Sequence, residues 1–268
     1  MLQLGKLGAG HLPIIFGILF FLNLGLTYIS AVLQHHVEPI FPYVSAAGDH
    51  RPESCIFSLL LNVCSMLSIL IAYLRCSLVD ALIRGSDDRI HMVNTVSMYF
   101  GILGGLAMAA VANFQETALV SVHLSSACVC FSAGCVYMIL QALVTIWMYP
   151  MFTNRRIGII RMVLAVMSIV CLFTAIGFGT AAAHKFHSYY PSLPTPRPWS
   201  RKMWQPGYEL HVVSAISEWF MAIFHILFII SFSRDFEKLK VTVTCDSMVQ
   251  HLDHTPLRRS REDLLERY

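Results

Sequence analysis

Charge is what this sequence has least of. Only 13% of its 268 residues are Asp, Glu, Lys or Arg, against about 25% in an ordinary soluble domain. That shortage excludes a chain whose surface mostly faces water. The net charge of +3 is small, and no arginine-rich stripe interleaves with aromatics, so no nucleic-acid partner is expected. Paired CxxC spacing is missing from the eight cysteines, which argues against a zinc-finger or thioredoxin-type site. No HExxH and no phosphate-cradling glycine loop occurs, and the serines near His123 and Glu116 lack a nucleophile-elbow turn. No catalytic residue, cofactor or metal ligand is assigned, and the chain is expected not to be an enzyme. His35, His36, His50 and Cys55 have ligand types that suit zinc, but their spacing fits no standard zinc motif.

What is abundant is hydrocarbon: 56% of residues are hydrophobic, and the mean hydropathy is +0.62. A bilayer span needs about 20 mostly apolar residues. Six runs qualify, at about 12–33, 55–74, 92–112, 117–147, 159–183 and 210–232. They are continuous rather than alternating, which favours helices over strands. The first run is too long for a secretory h-region and no clean small-residue cleavage site follows it, so it reads as a retained first helix. Cys64, Cys128, Cys130, Cys135 and Cys171 lie inside these runs, where cysteine acts as a small hydrophobe.

Lys6, Arg75, Arg84, Arg89, Arg155, Arg156, Arg161 and the basic tail residues fall on one face. Only Arg51, Lys185, Arg197, Arg201 and Lys202 fall on the other. The positive-inside rule puts the richer face in the cytosol. The expected fold is all-α: a polytopic membrane protein with six transmembrane helices and cytosolic N- and C-termini. Residues 1–239 form the membrane domain and 240–268 a flexible cytosolic tail. Loops near 34–54, 113–117 and 184–209 then face a lumen or the outside, and none carries an Asn-x-Ser/Thr sequon.

Gly101, Gly105 and Ala109, and likewise Ala175, Gly179 and Ala183, repeat at four-residue spacing, as helix seams in lipid do. The same faces admit a homo-oligomer. Asn23, Asn62, Ser68 and Gln141 are expected to hydrogen-bond across helices.

Three groups are candidates for function. His35, His36, His50, His184, His187 and His211 lie in or beside the loops of the less basic face, among several carboxylates. Histidine titrates near pH 6.5, so an acidic lumen would charge them and form a pH-responsive cap; an ordinary solvated loop is the alternative. Glu218 falls near mid-span of the sixth run, where a carboxyl is costly and functional by default. His211, Glu218 and His225 sit seven apart on one face. A proton relay and a neutral, hydrogen-bonded Glu218 both fit. Finally, Leu264 and Leu265 after Glu262 and Asp263 resemble an acidic dileucine sorting signal, with Ser260 at the usual acid position. Arg234, Lys238 and Lys240 next to the last span suit contact with anionic membrane lipids.

Several stretches in order carry a resemblance: HHVEPIFPYVS (35–45), PESCIF (52–57), VANFQETAL (111–119), GYELHVVSAISEW (207–219) and RDFEKL (234–239). With six spans, they resemble the damage-regulated autophagy modulator (DRAM) family from the first helix to about Leu239. The resemblance implies a multi-pass protein of the lysosomal or late endosomal membrane. It implies promotion of autophagy, with links to apoptosis, through other membrane or autophagy proteins and without enzymatic activity. Its wider superfamily includes plasma-membrane scaffolds for phosphoinositide kinases, which leaves the plasma membrane open. A proton-linked transporter or channel is the other reading, on Glu218.

Overall fold

The computed structural model describes residues 2–3, 8–197 and 200–243. Among the described residues, six helices are long and apolar enough to cross a membrane. They are α1 (His11–Leu33), α3 (Glu53–Ile83), α4 (Asp88–Asn113), α5 (Val120–Trp147), α6 (Arg155–Tyr189) and α7 (Tyr208–Ile230). Two four-residue helices, α2 (Val44–Ala47) and α8 (Ser233–Phe236), flank α7's two ends. A two-residue antiparallel ladder pairs β1 (Leu2–Gln3) with β2 (Thr242–Val243).

The helix ends are set by local chemistry. Asp87 Oδ1 accepts from the Arg89 and Ile90 amides at 3.0 and 3.1 Å and so caps α4. Asn154 Oδ1 caps α6 through the Arg156 amide at 2.9 Å. α3 stops where Arg84 and Gly85 turn left-handed, at φ 48° and 73°. Hydropathy ends this span near Leu74, but the helix continues to Ile83; likewise α6 runs past Ala183 to Tyr189. At 1.5 Å per residue these two helices are roughly 46 and 52 Å long, more than the ~30 Å hydrocarbon core, so their polar ends stand clear of it. α5 begins at Val120 rather than 117, because residues 115–119 close a turn in which the Ala118 and Leu119 amides donate to Gln115 O.

Each long helix packs on its predecessor, and α7 closes on α1, giving a ring in chain order with α5 also touching α7. The seams follow the small residues. A Cβ on Gly101 would lie 2.8 Å from Ala72 Cβ, and one on Gly105 2.5 Å from Ile69 Cγ1. These glycines bring α3 and α4 together inside one chain. Gly179 does the same for α6 and α7, facing Ser214 Oγ at 3.1 Å.

Sidedness is inverted relative to a soluble protein. Leu59, Met66, Phe173, Val163 and Ile29 are more than half exposed, while Asn94, Gln141, Thr145, Ser168, Arg75 and Arg161 are fully buried or nearly so. Hydrocarbon outside and polar groups inside is the arrangement a lipid solvent selects.

The described segments before α1 and after α7 meet on one end of the ring. The Ala9 amide donates to Phe236 O and Leu239 O, both at 3.2 Å. The opposite end carries the loops 34–52, 114–119 and 190–207. Residues from 244 onward, Leu264 and Leu265 among them, lie outside the described residues.

Candidate functional site

The loop after α1 is fixed by its own polar residues. Glu53, the first residue of α3, is fully buried. Its Oε1 accepts from Gln34 Nε2 at 2.6 Å and Ser30 Oγ at 3.1 Å, and its Oε2 meets His36 Nδ1 at 3.2 Å. A carboxylate at a helix N-terminus also faces the favourable end of the dipole. His36 stacks on His50 with ring centroids 4.9 Å apart. Asp49 Oδ1 accepts from the Thr117 amide at 3.0 Å, tying this loop to the next. Farther along, Pro39 O and Pro42 O accept from Tyr28 OH and Trp219 Nε1, both at 2.8 Å. Lys202 Nζ joins Glu38 Oε1 at 2.8 Å. The three loops therefore form one knitted crown.

Glu116 sits within that crown and is buried. Burial, then the nearby Asp49, pushes its carboxyl up to about 7, against the opposing pull of Arg197.

The six histidines do not form one cluster. His36 and His50 pair, and His35 is exposed at a left-handed φ of 57°. His187 Nε2 meets Thr195 Oγ1 at 2.8 Å, and His184 is exposed on α6. His211 is buried against Tyr43, with ring centroids 4.9 Å apart.

His211, Glu218 and His225 do share the inward side of α7, but successive members are about 10 Å apart along the axis, beyond hydrogen-bond reach. Glu218 lines two cavities, a central one of about 110 Å³ and a larger one of about 550 Å³ between α5, α6 and α7. Ser45 of α2 lines both cavities with it. Tyr43 OH donates to Ser214 Oγ at 2.6 Å beside it. His225 Nδ1 lies 2.8 Å from Met221 O and 3.1 Å from Ser168 Oγ.

At the other end of the ring lies a network that sequence reasoning missed. Arg75 Nη1 and Arg161 Nη2 both donate to Asp235 Oδ2, at 3.0 and 2.7 Å. Arg75 Nε also donates to Gln141 Oε1 at 3.0 Å, and Arg161 Nη1 to Thr145 Oγ1 at 3.0 Å. Gln141 Nε2 continues to Asn94 Oδ1 and Ser97 Oγ at 3.0 and 2.6 Å. Both guanidiniums lie over the Phe232 ring, at 5.0 and 4.5 Å from its centroid. Arg75 and Arg161, grouped by the sequence with the basic residues of one face, are buried inside the bundle rather than in its loops. The available signal was their apolar flanks, IAYLRCSLV and GIIRMVLAV. Asn62 and Gln141 do bond across helices, Asn62 through a reciprocal pair with Asn113. Ser68 instead donates to Ser65 O in its own helix, and the Asn23 side chain has no hydrogen-bond partner among the described residues.

Six apolar helices with polar groups turned inward define a multi-pass α-helical membrane protein. The chain belongs to the Frag1/DRAM/Sfk1/Cwh43P family, whose N-terminal domain matches residues 8–239. It is similar to DNA damage-regulated autophagy modulator protein 2 of Rattus norvegicus, 31% identical over 266 residues covering 97% of each chain. It is similar to DNA damage-regulated autophagy modulator protein 1 of Homo sapiens, 30% identical over 221 residues, 82% of this chain and 88% of that one. Modulator of macroautophagy TMEM150B of Danio rerio is 30% identical over 179 residues, 64% of this chain and 75% of that one. No solved structure matches.

Proposed function

We propose that this chain modulates autophagy from the lysosomal or late endosomal membrane. It acts without catalysis, by scaffolding or regulating other membrane proteins. The observation that carries this reading is the similarity, over nearly the whole chain, to relatives named as autophagy modulators rather than enzymes. In this reading the end carrying the termini faces the cytosol and the crown faces the lumen, and a link to apoptosis follows from altered autophagy. Leu264–Leu265 then serves as the sorting signal.

Deleting the gene and measuring autophagic flux with and without a lysosomal inhibitor tests the proposal. A lowered flux is expected, restored by the wild-type chain; unchanged flux overturns it. An epitope inserted after Ala47 reports topology, and its accessibility from the cytosol would reverse the proposed orientation. Changing Leu264 and Leu265 to alanine is expected to shift a tagged protein from lysosomes to the cell surface.

Proton-linked transport is the second reading, favoured by Glu218 standing between two cavities. Acid-driven flux into liposomes that Glu218→Gln abolishes would establish it.

A further inference from the structure

α5 and α6 meet closely near the end that carries α8. A Cβ on Gly158 would lie 2.8 Å from Ile146 Cγ1, Arg161 reaches Thr145, and Cys135 Sγ lies 3.4 Å from Ser168 Oγ. Toward the crown the two helices part around the cavity of about 550 Å³, with α7 behind it. The walls are apolar: Leu124 and Phe131 from α5, Leu172 and Ile176 from α6, Met221 from α7. Leu124 and Ile176 are 53% and 49% exposed, so the gap opens sideways, through the helix surface that faces lipid.

Its crown end is polar and incompletely satisfied. Arg201 is 3% exposed, and its Nη2 donates to Ala182 O and Pro206 O at 3.1 and 2.9 Å. Its Nε has no acceptor among the described residues. His123 is 2% exposed; its Nδ1 lies 2.7 Å from Phe114 O, and its Nε2 has no partner among the described residues. A buried polar group left without a hydrogen bond costs about 1–3 kcal/mol. Two such groups line one cavity, together with Arg197.

We propose that this gap is a phospholipid site, with the phosphate on Arg197 and Arg201 and one acyl chain lying between α5 and α6. Guanidinium presents a donor fork that matches phosphate oxygens. The apolar slot accepts the chain, and its volume falls in the range of roughly 300–1,000 Å³ typical of small-molecule sites. Glu116 lines the same cavity near Arg197 and offers a hydrogen-bonding group to the headgroup. Glu218 also lines this cavity, from α7 and away from Leu124 and Ile176 at the lateral opening. This site stands independently of any role in autophagy.

The test uses the full-length chain in phosphatidylcholine vesicles doped with a phosphatidylcholine that carries a diazirine on one acyl chain. After illumination, mass spectrometry maps the adducts. Adducts concentrated on 124–131 and 172–176 are expected. Ala175→Phe fills the slot and Arg197→Gln removes an exposed phosphate partner without touching the packed core. Each is expected to cut this labelling roughly tenfold, equivalent to about 1.4 kcal/mol of binding. Even labelling of all outward helix faces that neither variant changes would overturn the proposal. So would displacement of the label by millimolar inorganic phosphate, which would mark a site for the free anion rather than the lipid.

Discussion

Arg161 Nη2 reaches Asp235 Oδ2 at 2.7 Å, closing α6 onto the segment that leaves the membrane after α7. Arg75 joins the same oxygen from α3 at 3.0 Å. One carboxylate thus holds two buried cations from two helices, and the RDFEKL stretch has a structural reason to exist. Removing one partner of a buried pair strands the other charges, at a cost of about 3–5 kcal/mol. Asp235→Ala is therefore expected to lower the thermal unfolding midpoint in detergent sharply. Replacing Arg75, Arg161 and Asp235 together by Met, Met and Leu is expected to recover most of that loss. A triple variant less stable than Asp235→Ala alone would contradict this account.

Glu116 makes stability depend on pH. Asp49 and Arg197 are the charged groups that act on it. Its folded carboxyl titrates at about 7, above the ordinary 4.5. The folded state then holds the proton more tightly than the unfolded state, so this group's contribution is fully present below pH 4.5 and is lost as pH rises toward 7. Its full size is on the order of 3 kcal/mol at most. Unfolding midpoints at pH 5 and 7.5 are expected to differ less in Glu116→Gln than in the wild type.

Glu53 anchors the crown through Gln34, Ser30 and His36. Glu53→Ala removes a buried acceptor and leaves those donors unpaired, at about 1–3 kcal/mol. Amide hydrogen exchange over residues 35–50 is expected to quicken roughly tenfold, while exchange in the middle of α5 stays as it was.

Two glycines predict opposite outcomes. Gly101→Leu drives a side chain into Ala72 and Tyr137 and is expected to destabilise by about 1–3 kcal/mol. A Cβ on Gly177 meets nothing within 4 Å, so Gly177→Leu is expected to be tolerated or to stabilise α6 by about 0.5–1 kcal/mol. Thermal unfolding of the two variants side by side checks both signs.

The gross architecture was legible because each span must meet its length and polarity conditions locally. The runs that became α1 and α7 are bounded by polar residues within a few positions of the helix ends. α3 was underestimated, because Arg75 and Asp80 lower the hydropathy although Arg75 is buried. The crown loop announced itself by its histidines, prolines and carboxylates. That His36 would stack on His50 while His211 turned inward to Tyr43 was not readable, since those contacts join segments far apart in the chain.

The sequence alone therefore determined how many times this chain crosses lipid, because the thickness of hydrocarbon and the need to satisfy every backbone amide act on each segment separately. Only the tertiary structure decided which polar groups inside the bundle are partners. Arg75 and Asp235 lie 160 positions apart, and a hydrogen bond a few ångströms long depends on how the helices pack.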